Sequence, residues 1–222
     1  MDLGHLLAIS SRSTQASHAA VDGTGLPGDM HASALSPRQL LLASSAAYDD
    51  YALAPHALRE NLLVNFETAQ LTSGTVLQVG AEVLLRLMFQ CEACGRLDLA
   101  RPGLSQEIGK RRGMLARVIS GGVMHQGDPV RDLGTLLPIW SDDWRERLVQ
   151  VLDAVPAGAV IEYKHLARLA GVQSTYCRAF PRVIANFGTQ YAGKAIASTS
   201  ASPRTRWQGE GLFDHRPLSA VS

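Results

Sequence analysis

Along the first 135 residues the apolar positions fall into short runs and form no long helical stripe. Runs at 4–10, 39–42, 74–79, 83–89 and 115–119 have strand length and aliphatic composition, and they predict strands. Gly28-Asp29, Gly80-Ala81 and Gly127-Asp128 supply turn chemistry between them. The runs 75–79 and 83–89 are spaced as a hairpin through Gly80-Ala81-Glu82, and a helical insertion fits 102–110. Short strands punctuated by glycine argue for a barrel or a sandwich without deciding between them. Residues 10–24 and 198–206 are small, polar and non-periodic, and read as loops.

The texture changes within 132–144 (DLGTLLPIWSDDW), which predicts one domain over 1–135 and a second over 140–222. In the second, Trp144, Leu148, Val151, Leu152 and Val155 recur at helical spacing. Ser141 can cap that helix, and Asp142 and Asp143 suit its positive end. Pro156-Ala-Gly158 stops it. A short extended piece (VIEY), a helix at 164–170 closed by Gly171, and a further helix nucleated at Ser174 complete a helix-turn-helix grammar. Trp207, Leu212 and Phe213 read as a closing segment packed on these helices. The expected class is α+β, a barrel with small helices followed by a small helical, winged-helix-like domain.

Charge refines this picture modestly. The 222 residues carry 21 Lys and Arg against 20 Asp and Glu, a net of +1. From Pro156 onward there are 8 basic and 3 acidic residues, a lean towards an anionic partner that a solvated face can also show. No apolar run approaches a membrane span, and no basic stretch leads into an apolar one near Met1. Three cysteines, Cys91, Cys94 and Cys177, suit a reducing compartment better than a disulfide framework, so a cytoplasmic protein is expected.

Two family resemblances emerge from ordered residue series. Gly25-Leu-Pro-Gly-Asp29-Met-His31, Arg59-Glu60-Asn61-Leu, Gly74, Cys91-Glu-Ala-Cys94, Arg112-Gly-Met-Leu-Ala-Arg-Val118, Gly121-Gly122 and Gly127-Asp128 together resemble the MOSC family. That family is named for the C-terminal domain of molybdenum cofactor sulfurases, and the likeness spans nearly all of residues 1–133. It implies a closed β-barrel that binds molybdenum cofactor or relays sulfur, with reduction of N-hydroxylated bases and amidoximes in some members. The stretch from Val155-Pro-Ala-Gly158 through Tyr163 to Gly171, followed by Arg178-Ala-Phe180, is similar to the DNA-binding domain of alkylguanine-DNA alkyltransferases and alkyltransferase-like proteins. By that likeness Tyr163 is the base-rotating tyrosine and Arg178 the arginine that fills the vacated space. The acceptor Pro-Cys-His-Arg is absent and Cys177 does not stand in its place, so alkyl transfer to cysteine is not expected.

The MOSC resemblance puts Cys94 in the family's cysteine position, as molybdenum ligand or sulfur carrier, with Cys91 as second choice. Molybdenum favours soft sulfur donors, and a persulfide carrier needs an accessible, ionisable thiol. Cys94 follows an apolar run and precedes Gly95-Arg96, a nearby cation. Without the resemblance, two buried structural cysteines would be the leading reading. A zinc half-site lacks a second Cys pair or a His at ligand spacing, and a thioredoxin-like pair lacks a βαβ context.

A molybdopterin is polyanionic and calls for guanidinium groups, which bind phosphate bidentately. Arg38, Arg59, Lys110, Arg111, Arg112 and Arg117 are the available cations, of which Arg59 with Asn61, and Arg112, are favoured. The run 110–112 could equally be solvated surface. Asp29 and His31 could position cofactor or substrate, or Gly28-Asp29 could be a plain tight turn.

In the second domain Tyr163, Ser174, Arg178 and Arg182 are the candidate contacts to double-stranded DNA, against the bland reading of a helix-turn-helix kept for packing. Taking a base out of its stack costs a few kcal/mol, which an aromatic and an arginine would offset. The leading expectation is a molybdenum-cofactor or sulfur-relay protein, acting on N-hydroxylated substrates and fused to a DNA-binding module. The alternative is a non-enzymatic lesion-binding protein with the barrel as scaffold.

Overall fold

A computed structural model describes residues 1–11, 14–16 and 18–214, and divides the chain into two compact units, Met1–Trp140 and Ser141–Ser222. The first opens with β1 (Asp2–Ser11), β2 (Thr14–Ala16), β3 (His18–Val21) and β4 (Leu40–Ser44), then α1 (Ser45–Asp50) and β5 (Leu62–Val64). The hairpin β6 (Thr75–Val79) and β7 (Val83–Gln90) follows, with Val79 paired to Val83 as the spacing predicted. A 3-10 turn (Gly95–Leu99), α2 (Leu104–Glu107) and a second 3-10 turn (Gly109–Arg112) lead into β8 (Met114–Ser120), β9 (Gly122–His125) and β10 (Pro129–Thr135).

Seven strands close on themselves in the order β10-β6-β7-β8-β4-β5-β1, and β1 returns to β10. Only β4 and β5 run parallel within that ring; its other pairs are antiparallel. Closure removes both sheet edges, so the barrel needs no other protection against strand addition. Leu6, Leu40, Leu42, Leu77, Leu85 and Leu87 point into one continuous apolar core. Ala43, Ala47, Leu58, Leu97, Leu104 and Ile108 form a second, satellite core that the small helices build against the outside of the barrel. Packing on both faces explains why β4 is buried at every position and β7 at nearly every one.

Residues 10–24 depart from the loop expected of them. Their polar texture hides β2, which extends β1, and β3, which pairs with β9 from His18↔His125 to Val21↔Gly122. Cross-strand hydrogen bonding recruits such residues whatever their polarity. Residues 12, 13 and 17 of that stretch lie outside the described residues.

The second unit comprises α3 (Trp144–Ala154), β11 (Ala159–Glu162), α4 (Tyr163–Leu169), a 3-10 turn (Ser174–Arg178) and α5 (Phe180–Ala185). After a further 3-10 turn come β12 (Ala195–Ile196) and β13 (Thr205–Trp207), which flank β11 in parallel. Leu148, Val151, Leu152 and Val155 are buried as their spacing predicts. The cap of α3 is a correction: Asp143, not Ser141, accepts the Arg145 amide at 2.8 Å, while the Ser141 hydroxyl accepts from the Asp143 amide and donates to Glu146. Asp143 wins because only its side chain lies within reach of the first free amides. Arg147 is only 1% exposed; it donates to the carbonyls of Ala170, Ser141 and Asp142 at 2.8–2.9 Å and so ties α3 to the end of α4. Among the described residues no helix is long and apolar enough to cross a membrane.

Gly113 governs how the first unit closes over its satellite core. Its φ is +118°, and a Cβ there would lie 2.3 Å from the Leu42 carbonyl oxygen. Gly113→Ala is expected to cost about 3 kcal/mol of stability, from left-handed strain and backbone overlap together. A urea titration checks this as a lower midpoint at unchanged slope.

Candidate functional site

One row of residues runs straight across four strand pairs: Gln90 of β7, Met114 of β8, Leu42 of β4, Leu62 of β5 and Ile9 of β1. The predicted site residues fall on its two sides. On one side the Cys91 amide donates to the Gly113 carbonyl at 2.8 Å, which sets the Cys91–Cys94 segment beside Arg112. On the other side the Asn61 amide donates to the Leu41 carbonyl at 2.9 Å, which brings the Arg59–Asn61 segment to the barrel wall.

Cys94 caps the 3-10 turn Gly95–Leu99, accepting the Leu97 amide on its carbonyl at 2.9 Å. As a residue it is half-buried. Cys91 is 5% exposed and its Sγ lies 3.9 Å from the Glu92 carbonyl, the setting of a packing cysteine. Among the described residues no three His, Cys, Asp or Glu side chains gather so as to hold a metal ion.

Arg112 is not solvated surface. It ends the 3-10 turn at the entrance to β8 with 8% exposure, and its Nε and Nη1 are buried with no hydrogen-bond partner among the described residues. A buried guanidinium left so is costly unless a ligand completes it. Its neighbours in the basic run behave differently. Arg111 pairs with Asp50 at 2.6 Å and Glu67 at 3.3 Å and lies against the Tyr51 ring. Arg117, 6% exposed, is bound to the carbonyls of Ser36 and Ala34 and serves the barrel wall.

Asp29, His31, Arg59 and Asn61 do come together. The Asn61 side chain donates to Asp29 at 3.1 Å and to the Ser10 carbonyl at 3.3 Å, and its Oδ1 accepts the Leu41 amide at 2.9 Å. Asp29 in turn accepts the His31 amide at 2.8 Å, closing the turn that Gly28 begins. His31 keeps an exposed edge, yet crowding by the protein, then the Arg38 charge and more weakly that of Arg59, hold its imidazole below the usual range against the opposing pull of Asp29.

Tyr48 and Glu60 link the two sides, and sequence reasoning did not single them out. The Tyr48 hydroxyl donates to the Glu60 carboxylate and accepts the Leu58 amide at 3.1 Å; Glu60 is 3% exposed, with the His56 Nδ1 3.7 Å away. Burial first, and Glu60 next, push the Tyr48 phenol far above its ordinary pKa, while the Arg112 charge opposes them. The segment from Ala52 to Arg59 carries three non-glycine residues at positive φ, Ala52 (50°), His56 (62°) and Arg59 (54°). Each costs on the order of 1 kcal/mol, and such strain clusters where function needs it. The signal available in the sequence was Glu60 itself, a carboxylate between Arg59 and Asn61.

In the second unit Tyr163 is the first residue of α4, half-buried, with its ring edge-on to Phe180 at 6.1 Å. Ser174 and Arg178 lie on the 3-10 turn and Arg182 on α5, all exposed. The Cys177 thiol sits 3.4 Å from the Tyr163 carbonyl, and burial pushes its pKa up, which disfavours the thiolate. The segment after Ser174 is a tight turn followed by a six-residue helix and not one continuous helix, since Pro181 suits only a helix start.

The closed seven-strand barrel with its small helices is of the MOSC type, and residues 27–131 match the MOSC domain. The chain is similar in structure to YiiM from Escherichia coli, at 15% identity and a TM-score of 0.53, over 89% of this chain and 100% of that one. It is also similar to a hypothetical protein of known crystal structure, at 16% identity and a TM-score of 0.51, over 82% of this chain and 90% of the other. YuaD from Bacillus subtilis aligns over 58% of this chain and 93% of its own, at 17% identity and a TM-score of 0.49. At such identities these likenesses concern the fold alone. No curated protein matches the chain.

Removing the unpaired charge provides a direct test of the site's cost. Arg112→Met, which keeps much of the volume and drops the guanidinium, is expected to stabilise the ligand-free protein by about 1–3 kcal/mol. Chemical denaturation of ligand-free wild type and variant measures it, and a destabilised variant would mean that the guanidinium is already satisfied.

Proposed function

We propose that the first unit binds molybdenum cofactor, with Cys94 as the protein's thiolate ligand and Arg112 as the buried cation for an anionic group of the cofactor. MOSC domains are associated with this cofactor as a class, and a molybdenum-related or sulfur-relay role is the coarse reading the domain carries. The observation that supports the finer one is Arg112, a guanidinium with two unpartnered nitrogens at 8% exposure, next in sequence to the glycine whose carbonyl holds Cys91. The donor set fits: a soft sulfur on a half-buried residue for the metal, and a planar, partly desolvated cation for phosphate. Arg59 and Asn61, with the Asp29–His31 turn, would orient the part of the ligand that reaches the other side of the row. When bound, the cofactor would supply two-electron reduction of N–O bonds, the chemistry of N-hydroxylated substrates. The chain's own residues would bind, orient and exclude water. In a sulfur-relay variant of this reading, Cys94 carries a persulfide and the same cations steer the donor.

Protein purified from cells that make the cofactor is expected to carry molybdenum and pterin in near-equal amounts. Cys94→Ala should lower retained molybdenum by about tenfold or more. Metal absent from the wild type, or unchanged in the variant, removes the ligand assignment. A persulfide on Cys94 detected by mass spectrometry without molybdenum selects the relay.

A second reading concerns the second unit. Arg178 and Arg182 are exposed on successive short helical segments beside a half-buried Tyr163, in a region with 8 basic and 3 acidic residues. That pattern favours binding of duplex DNA, with Ser174 and Arg182 on phosphates and Arg178 entering the helix, in a protein that carries no acceptor cysteine. In the non-enzymatic form of this reading the barrel is scaffold, and lesion recognition is the whole activity. Fluorescence anisotropy with duplexes containing alkylated guanine is expected to show binding that weakens about tenfold in Arg178→Ala. Affinity indifferent to both the lesion and the substitution eliminates this role.

A further inference from the structure

We propose that Tyr48 is a positioning residue for the barrel's ligand site: its hydroxyl, held between the Leu58 amide and the Glu60 carboxylate, fixes the turn that sets Arg59 against the Asp29–His31 turn. The inference rests on the reading that Arg59 and Asn61 face the ligand.

The connection from α1 to β5 is short of regular structure and unfavourable in backbone conformation. Its internal hydrogen bonds are local, Ala57 amide to Ala54 carbonyl at 3.1 Å and Arg59 amide to His56 carbonyl at 3.0 Å. Neither bond selects the left-handed conformation of His56 or Arg59 over ordinary ones, and such conformations persist only where surroundings over-determine them. Two anchors do so here. Leu58 is fully buried in the satellite core, and the Tyr48 hydroxyl grips the backbone of Leu58 and the side chain of Glu60 at once. Tyr48 is itself fixed, since its carbonyl accepts the Leu53 amide at 2.9 Å and its ring packs on the same core.

Residues 58, 60 and 61 are therefore pinned on both sides of Arg59. Leu58 and Glu60 point inward, Asn61 reaches Asp29 at 3.1 Å, and the Arg59 side chain between them is exposed. Its charge acts on the His31 imidazole together with those of Arg38 and Asp29, and Asp29 accepts the His31 amide at 2.8 Å. If burial alone explained the pair, an apolar contact would serve as well, without the cost of enclosing a carboxylate. A hydroxyl that accepts from one residue and donates to another two positions on instead fixes the orientation of the residue between them. Arg59 is that residue.

The test reads the position of Arg59 in the ligand-free 222-residue chain through the His31 titration, followed by NMR. Arg59→Gln is expected to shift the His31 pKa upward, because a neighbouring cation is lost. Tyr48→Phe should shift it upward as well, and the double variant no further than Arg59→Gln alone, the non-additivity expected when one residue acts through the other. An unshifted His31 in Tyr48→Phe, or in Arg59→Gln, overturns the proposal, as does full additivity. Should Tyr48→Phe fail to fold, Glu60→Leu and Glu60→Gln replace it. Loss of the Glu60 charge alone would lower the His31 pKa, so a rise in Glu60→Leu reports a displaced Arg59. Glu60→Gln keeps an acceptor for the Tyr48 hydroxyl and should show no rise; a rise of equal size in both variants, or in neither, refutes the idea. No metal or pterin enters the measurement. An upward shift in a protein that never retains molybdenum therefore leaves the positioning role standing and removes the cofactor assignment.

Discussion

The approach of Gly113 to the Leu42 backbone is the constraint on which the site depends. A side chain at 113 would overlap the Leu42 carbonyl, so the 3-10 turn Gly109–Arg112 can enter β8 this closely only because the position is glycine. That approach draws Arg112 below the surface and leaves the Gly113 carbonyl free for the Cys91 amide. The half-buried Cys94, three residues on, inherits its place from the same contact. One missing Cβ thus sets the depth of the cation and the register of the cysteine segment together.

What this arrangement gives up in stability is concentrated. The unpartnered nitrogens of Arg112, the enclosed carboxylate of Glu60 and the left-handed Ala52, His56 and Arg59 all depart from local preference, and all lie around α1, the α1–β5 connection and the entrance to β8. Elsewhere the barrel ring is closed, its core is aliphatic, and the buried Arg86 and Arg117 reach backbone carbonyls. Arg86 shows the alternative fate of a buried guanidinium, since desolvation lowers its pKa to about 10 while the Pro138 carbonyl accepts a bond at 2.6 Å.

The strands that proved legible were those whose burial is decided by aliphatic side chains. The apolar runs around Leu77, Leu85 and Leu115 announced β6, β7 and β8 because period and composition agree there. The stretch 10–24 did not announce β2 and β3, because its short strands are defined by pairing with β1 and β9 more than by an apolar run of strand length. The residue types of the site could be read from ordered glycines, cysteines and cations, but their roles could not. Arg111 and Arg112 are neighbours in one basic run, and only the turn geometry makes one an ion-paired surface residue and the other a buried cation. Tyr48 carried no signal at all, since its significance lies in a contact with Leu58 and Glu60, ten and twelve residues on, across a turn that propensity disfavours.

Glu60 decides how the two sides of the site relate. It follows Arg59 and precedes Asn61, so the chain must turn its carboxylate inward for its neighbours to face outward. Inside, the Tyr48 hydroxyl meets it, and the Arg112 charge acts on that same phenol. The hydroxyl takes up the carboxylate, while Nε and Nη1 of Arg112 keep no hydrogen-bond partner among the described residues. An ion pair would have spent those donors within the protein. Donors left available in this way are the condition a site for an anionic ligand has to meet before the ligand arrives.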